Sequence, residues 1–186
     1  MKEPILEPLL RRLRIRKVLP VIKHYRDCRL LDIGCGWEAR LLKTVEPYIQ
    51  SGVGVDFKAP DIRTPKIECR RIALDTSLPV SDESFDVVTM LAVLEHLAEP
   101  LAIAKEIERA LVPGGRLVLT VPSRAAKPVL EFLSYRLKIV SEAEIRDHKA
   151  YYDYRDLKAL FGQTGLQMER HRYFQLGMNN FCVLRK

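Results

Sequence analysis

The chain has 186 residues, of which 47% are hydrophobic and 30% are charged, with a formal net charge of +7. This composition is that of one globular domain with enough length for a hydrophobic core, and its apolar runs fall short of the ~18 residues that a membrane-spanning helix needs. The N-terminus lacks the apolar core and cleavage site of a signal peptide, and the four cysteines form no Cys-x-x-Cys pair. We therefore expect a cytoplasmic protein with free thiols and no metal site.

The positive charge is concentrated at the N-terminus. Residues 1–30 hold nine Lys/Arg and three acids, a net +6, whereas the other 156 residues hold 22 basic and 21 acidic side chains, a net +1. Leucines among the arginines of 5–19 predict a helix that ends or kinks near Pro20, with a short second helix over 21–25. This basic segment, 1–28, is expected to precede a single domain, 29–186. It could contact acidic lipid head groups, nucleic acid or an anionic substrate, or form a solvated helix face.

Strand-like and helix-like patterns alternate through the next hundred residues. Only eight residues, 58–65, separate the second and third strands, which leaves room for a loop or a single turn. Strands separated by helices favour an α/β fold, a Rossmann-like, doubly wound and mostly parallel sheet with helices on both faces. The predicted strands are 29–34, 52–57, 66–74, 85–94 with a turn at its end, and 115–122, and the predicted helices are 38–45 and 100–111.

The C-terminal third is less regular. Residues 127–140 predict a helix, a polar and aromatic patch follows, and 155–165 predict a helix capped at Gly165. The segments 166–174 and 180–186 are expected to form a terminal antiparallel hairpin. Because loops at the carboxyl edge of such sheets vary while the sheet stays fixed, 123–154 is the predicted substrate-cap insertion.

A glycine-rich turn joins the first strand to its helix in "LLDIGCGWEARLL", residues 30–42. Glycines let a ligand approach the backbone, and the helix start offers free N–H groups. Residues 34–39 fit G-x-G-x-x-A, and Asp56 follows Gly36 by 20 residues, as in nicotinamide dinucleotide sites. However, Asp32 would repel a pyrophosphate and would suit a cofactor that carries an ammonium and a sulfonium.

With Asp75-Thr76 after the third strand and Glu95-His96 after the fourth, residues 29–122 resemble the class I S-adenosylmethionine-dependent methyltransferases, most closely the small-molecule group called type 11. The segment 151–166 is more faintly similar. The resemblance implies S-adenosyl-L-methionine as cofactor and a role for each matching residue. At the methionine part of the cofactor, Gly34, Cys35 and Gly36 would line the chain, Asp32 would bind the amino group, and the Leu91 carbonyl would face the ammonium. At the ribose, Asp56 would bind both hydroxyls. At the adenine, Phe57 would contact the ring, and Asp75 and Thr76 would bind its edge.

One residue departs from the family pattern, because Glu38 stands where the turn usually has a third glycine. Its carboxylate either favours the helix start electrostatically or crowds the pocket, and we favour the first interpretation. Trp37, beside it, either covers the cofactor or packs on the first helix.

The acceptor is a small molecule or a lipid-linked compound in our interpretation. His96 is the candidate general base or a structural histidine, and Glu95, His148, Tyr151 and Tyr152 either contact the acceptor or anchor the insertion. The chain lacks the Asn/Asp-Pro-Pro-aromatic sequence of amino-methylating nucleic-acid enzymes, which disfavours nucleic acid, although the basic N-terminus leaves RNA open. Two alternatives remain, a nicotinamide-dependent oxidoreductase and a non-catalytic fold relative that acts as a binding module.

Overall fold

A computed structural model describes residues 7–25, 27–135 and 146–186 of the chain. Its helices are α1 (Glu7–His24), α2 (Arg40–Val45), α3 (Pro100–Ala110), α4 (Ala126–Tyr135) and α5 (Tyr154–Phe161). Its strands are β1 (Cys28–Ile33), β2 (Ile49–Asp56), β3 (Ile67–Arg71), β4 (Phe85–Leu91), β5 (Leu111–Pro122), β6 (Gln167–Phe174) and β7 (Asn179–Arg185). Short 3-10 turns cover Glu46–Tyr48 and Leu94–His96.

The strands form one seven-stranded sheet in the order β3-β2-β1-β4-β5-β7-β6. The first five strands pair in parallel, and β7 pairs antiparallel with both β5 and β6. The predicted α/β class is confirmed, including the terminal hairpin. Strand order reverses between β1 and β4, and ligands of open α/β sheets bind where such a reversal opens a crevice at the carboxyl ends.

Helices cover both faces of the sheet because successive strand residues point to opposite sides. On one face, Val18 and Ile22 of α1 and Leu42 of α2 are fully buried against the sheet. On the other, Ile107 of α3 and Phe161 of α5 form a second buried cluster. The helix α1 thus packs on the sheet. The boundary between a basic segment, 1–28, and a domain, 29–186, stays a prediction.

A helix end at Pro20, one of the two predicted alternatives, is wrong, because α1 runs through this proline to His24. The separate short helix predicted over 21–25 is therefore part of α1, and a kink at Pro20 stays a prediction. Burial of Val18 and Ile22 on either side holds the helix together, and Pro20 itself is exposed, so its ring faces away from the packed side. Tertiary packing has overridden a strong local signal.

Other predicted helix boundaries shift by a few residues. The helix predicted over 38–45 begins only at Arg40, because Ala39 adopts a left-handed φ of 49°. The helix predicted to reach Gly165 ends at Phe161, with Gly162 as its C-cap. The helix predicted over 127–140 corresponds to α4 as far as Tyr135, and 136–145 lie outside the described residues.

No helix among the described residues combines the length and the apolar character needed to cross a bilayer.

Candidate active site

The glycine turn lies at the carboxyl end of β1, beside the end of β2. The N–H groups of Gly34 and Cys35 donate to the Val55 carbonyl at 2.8 and 3.2 Å, which fixes the chain as it leaves the sheet. Gly34 and Gly36 have φ of 76° and 68°, a left-handed conformation that other residues adopt only with strain. A Cβ on Gly34 would collide with Val93, whereas a Cβ on Gly36 would meet no atom within 4 Å. Gly36 therefore presents bare backbone to open space.

Cys35 turns the other way. Its side chain is 8% exposed, and its Sγ lies 2.9 Å from the position that a Cβ on Gly54 would take. Burial raises the pKa of this thiol well above its usual range. Cys35 therefore contributes backbone, and not a reactive thiolate, to the turn.

A buried carboxylate lies before the turn. Asp32 is 3% exposed, and its Oδ1 accepts a hydrogen bond of 2.7 Å from the Thr89 hydroxyl on β4. Burial raises the pKa of Asp32 from 3.8 to about 7, with the Asp56 charge adding to the rise and the Thr89 hydrogen bond opposing it. A cationic ligand group above this carboxylate would relieve the desolvation of its charged form.

Asp56, the last residue of β2, joins the second strand to the glycine turn. Its Oδ2 accepts from the Gly36 N–H at 3.0 Å and its Oδ1 from the Lys58 N–H at 2.7 Å. Each carboxylate oxygen keeps a further lone pair, so this pre-oriented group can still accept hydrogen bonds from two neighbouring hydroxyls.

Two large aromatic side chains lie exposed, one directly after Asp56 and the other directly after Gly36. Phe57 is 63% exposed and Trp37 is 60% exposed. The Lys58 ammonium lies 4.7 Å from the centroid of the Phe57 ring. Both rings are accessible for contact with a planar ligand group.

Glu38 is turned toward its neighbour Arg40. The Glu38 Oε1 accepts from the Arg40 Nη2 at 3.0 Å, and its other oxygen also contacts the guanidinium. These hydrogen bonds hold the pKa of Glu38 below its ordinary value, with the charges of Arg11 and Lys43 acting in the same direction. This pairing supports the interpretation in which Glu38 leaves the pocket clear.

The remaining predicted cofactor residues follow β3 and end β4. Asp75 and Thr76 lie exposed in an irregular segment after β3. Leu91 is the half-buried last residue of β4, and Ala92 after it has a left-handed φ of 56°. This sharp change of direction brings Val93 against Gly34.

The predicted acceptor residues gather around His96. Its Nδ1 lies 2.9 Å from Asp147 Oδ2, and its ring contacts the His148 ring edge-on at a centroid distance of 4.8 Å. The His148 Nδ1 lies 3.1 Å from the Tyr151 hydroxyl. Burial, and next the neighbouring His96, lower the pKa of His148 to about 4, so this imidazole is neutral at pH 7.

Backbone hydrogen bonds attach this segment to the sheet edge. The Lys149 N–H donates to the Glu95 carbonyl at 2.8 Å, and the Tyr152 N–H donates to the Pro122 carbonyl at 3.2 Å. Tyr152 packs against the core, which favours the anchoring role for this residue. Glu95 is 1% exposed, and its carboxylate lies within 4.8 Å of ligand atoms of His96 and His148.

Three residues of this site were not identified from the sequence. Thr89 is hidden within an apolar strand, and its register opposite Asp32 on β1 is the signal that would have found it. Val93 lies in an ordinary apolar run, and nothing local shows that it covers Gly34. Arg14 of α1 has a buried Nε without a hydrogen-bond partner and is close enough to His148 to act on it electrostatically.

An open depression of about 520 Å³ also lies on β6, lined by Tyr154, Met168, Glu169, Arg170, His171 and Tyr173. It includes none of the predicted site residues. The chemistry-bearing groups therefore lie at the carboxyl edge and not in this depression.

Comparison with known proteins gives a family match and curated relatives. The family model of a methyltransferase domain matches residues 5–171. A ubiquinone biosynthesis O-methyltransferase of Parvibaculum lavamentivorans is 31% identical over 117 residues, which are 57% of this chain and 45% of that protein. The chain spans about half the length of the first curated relatives that it matches.

Solved structures share the fold at low sequence identity. A chain of the complex between the Haloferax volcanii Trm112 methyltransferase activator and a methyltransferase has a TM-score of 0.72 at 16% identity, with 92% of this chain and 88% of that chain covered. An S-adenosylmethionine-dependent methyltransferase from Mesorhizobium loti has a TM-score of 0.68 at 16% identity, with 92% and 95% covered. These likenesses establish the architecture.

Proposed function

Because the chain belongs to the class I S-adenosylmethionine-dependent methyltransferases, we propose that it transfers a methyl group from S-adenosyl-L-methionine to a small-molecule acceptor. The family assignment agrees with the resemblance seen in the sequence, and the type 11 subgroup stays a prediction. One observation carries the proposal: bare backbone at Gly36 faces open space at a turn with two pre-oriented carboxylates, Asp56, which accepts from the Gly36 N–H, and Asp32, which precedes the turn on β1.

The residues present fit this cofactor. The buried Asp32 suits an ammonium group, and the oriented Asp56 suits the two hydroxyls of a ribose. The exposed Phe57 offers a ring for an adenine, with Asp75 and Thr76 as the proposed partners of its polar edge. Gly34, Cys35, Gly36 and Leu91 would contribute backbone around the methionine part.

When bound, the cofactor supplies an electrophilic methyl group, so the chain's task is to place an acceptor and manage its proton. Asp147 can accept the Nδ1–H of His96, which makes Nε2 the basic nitrogen. With the cofactor bound, Nε2 would take the proton of an acceptor hydroxyl as its oxygen bonds the methyl carbon, while the sulfur–methyl bond breaks and the neutral thioether leaves. Glu95, His148 and Tyr151 would border the acceptor.

The acceptor class is proposed from both the site and the relatives. The curated relatives are named for O-methylation in ubiquinone biosynthesis, which favours a hydroxyl oxygen on a small or lipid-linked molecule. Exposed Arg12, Arg16 and Lys17 on α1 would bring the protein to an anionic membrane surface for a lipid-linked acceptor.

A thermal-shift and calorimetry panel with S-adenosylmethionine, S-adenosylhomocysteine and NADH tests the cofactor assignment. We expect both adenosyl compounds to bind and to raise the melting temperature, and NADH to do neither. Asp56→Asn keeps the side-chain size but removes the charge, and should weaken adenosylhomocysteine binding by about tenfold or more, since two hydrogen bonds to a charged group are affected.

The matched control is Asp61→Asn, which makes the same chemical change at an exposed position outside the crevice. It should bind like the wild type. Binding of NADH alone would favour the oxidoreductase, and a folded protein that binds neither class would favour the non-catalytic alternative.

A further inference from the structure

Three side chains with metal-ligating atoms converge at the carboxyl edge of β4. Glu95, His96 and His148 each offer one such atom, and these atoms all lie within 4.8 Å of one another. Glu95 is buried and both histidines are half-buried, so the group is partly shielded from water. Attachment of Lys149 to the Glu95 carbonyl brings His148 to this place.

Both imidazoles are already oriented through one ring nitrogen. The Nδ1 of His96 contacts the Asp147 carboxylate at 2.9 Å, and the Nδ1 of His148 contacts the Tyr151 hydroxyl at 3.1 Å. Metal-binding histidines are held in this way through the nitrogen that does not touch the metal. The Nε2 atom of each ring, which makes no hydrogen bond within the described residues, is the one available to an ion.

We propose that Glu95, His96 and His148 bind a divalent transition-metal ion of the Zn²⁺ type, with a position left open for the acceptor oxygen. Two imidazoles and one carboxylate are a donor set of catalytic sites that keep such an opening. A tetrahedral ion with bonds of about 2.0 Å holds its ligand atoms about 3.3 Å apart, so the three side chains must close slightly by rotation. The proposal rests on the proposed function only for the identity of the oxygen that fills the opening.

The local charges accommodate a divalent ion. Glu95 and Asp147 supply two negative charges, and Arg14, close enough to act on His148, supplies one positive charge that opposes binding. With an ion bound, His96 would serve as a ligand, and an acceptor hydroxyl in the open position would give its proton to solvent water. Its oxygen would then bond the methyl carbon as the sulfur–methyl bond of the cofactor breaks and the neutral thioether leaves. The ion thus replaces His96 as the group that activates the acceptor.

Cobalt titration of metal-free protein tests the site without cofactor or acceptor. We expect one Co²⁺ per chain, with the visible absorption of a low-coordinate site, and displacement by Zn²⁺ measured by calorimetry. Glu95→Gln and His148→Ala should each weaken binding by about 100-fold or more, and Asp147→Asn, which affects only the orientation of His96, by about 10–100-fold.

The matched control is His171→Ala. This histidine is also held by a hydrogen bond, 2.8 Å from its Nε2 to Asn180 Oδ1, and lies between Tyr154 and Tyr173. Its replacement should leave Co²⁺ affinity unchanged. Thermal melts verify that each variant folds. Glu95→Gln keeps the size of the side chain, so it should preserve the structure around residue 95.

Absence of stoichiometric Co²⁺ and Zn²⁺ binding, or binding that survives both Glu95→Gln and His148→Ala, would overturn the metal site. Such a result leaves adenosyl-cofactor binding and the His96–Asp147 pair untouched. Conversely, a protein that binds Co²⁺ but no adenosyl compound would retain the metal site and lose the proposed function.

Discussion

The buried carboxylate of Asp32 couples the stability of the protein to pH. Its pKa rises from 3.8 to about 7 in the folded chain, chiefly through burial. Between these values the folded state binds the proton more tightly than the unfolded state, so the contribution of Asp32 to the free energy of unfolding falls as pH rises from about 4 to 7 and is flat above. In the full complex, a cationic group placed on Asp32 would remove part of this penalty.

Replacement of Asp32 with Asn should therefore stabilise the protein at pH 8 and leave it little changed near pH 4. The difference at pH 8 has an upper bound of about 4 kcal/mol, since each unit of pKa corresponds to about 1.4 kcal/mol. Urea unfolding of both proteins at pH 4.5 and 8 measures it. Equal pH dependence in the two proteins would show that Asp32 is not the responsible group.

The two glycines of the turn should respond differently to alanine. At Gly34 the added methyl group collides with Val93, whereas at Gly36 it meets open space, and both positions carry a left-handed φ. In Gly36→Ala the free energy of unfolding should fall only by the conformational cost of about 1–2 kcal/mol. In Gly34→Ala the free energy of unfolding should fall further because of the collision with Val93. The double variant with Val93→Ala should recover part of this additional loss.

Chemical denaturation of these variants gives the comparison, and calorimetry with adenosylhomocysteine separates binding from folding. Gly36→Ala should fold but should bind adenosylhomocysteine more weakly than the wild type does, because its methyl group enters the space assigned to the cofactor. Normal binding by Gly36→Ala would contradict the placement of the cofactor against this residue.

At the level of helices and strands, the most unusual feature is the proline inside α1. Pro20 has no N–H to donate within the helix, yet α1 continues to His24. Its exposure means that replacement removes a local defect without disturbing the core. Pro20→Ala should therefore raise the free energy of unfolding by about 1–3 kcal/mol.

Pro47→Ala is the matched control, because Pro47 lies at the start of the 3-10 turn Glu46–Tyr48, where a missing N–H leaves no hydrogen bond unmade. It should change stability little. Guanidinium unfolding of both variants provides the measurement, and a loss of stability in Pro20→Ala would mean that the proline ring itself contributes to packing.

The central strands β1 and β4 were predictable from sequence because their burial makes most of their residues apolar. All residues of β1 except Arg29 are buried, and β4 is similar, so composition alone marks them. The reversal of strand order between β1 and β4 follows from the βαβ pattern, and with it the position of Asp32, Gly36 and Asp56 at one edge.

The acceptor cluster could not be assembled from sequence in the same way. His96 and His148 are 52 residues apart, and their contact depends on backbone hydrogen bonds of Lys149 and Tyr152 to two different strand ends. The left-handed Ala39 and Ala92 are likewise set by packing, since alanine carries no local signal for that conformation. Local patterns therefore place the predicted cofactor residues at one edge of the sheet, whereas long-range contacts bring the predicted acceptor residues together.

At the scale of the whole molecule, the charge of α1 is the basis of the proposed contact with an anionic membrane surface. Three exposed cations of α1, Arg12, Arg16 and Lys17, lie within six residues of one another. Each cation near an anionic bilayer contributes about 1 kcal/mol, so neutralising all three with Gln should weaken vesicle binding by roughly 100-fold.

Co-sedimentation with vesicles of phosphatidylserine and phosphatidylcholine measures this effect, with pure phosphatidylcholine as the uncharged reference. The control variant replaces Lys105, Arg155 and Lys158 with Gln, an equal charge change on α3 and α5, which cover the other face. If both triple variants bind equally, the attraction depends on net charge and α1 is not a docking surface.

The measurement that tests the central claim most directly is a crystal structure of the protein with S-adenosylhomocysteine. We predict density for the ligand against the bare backbone of Gly36, with its ribose hydroxyls on the Asp56 carboxylate and its amino group toward Asp32. Density for an adenosyl group anywhere else, or a crevice closed by the Glu38 side chain at saturating ligand, would contradict the assignment.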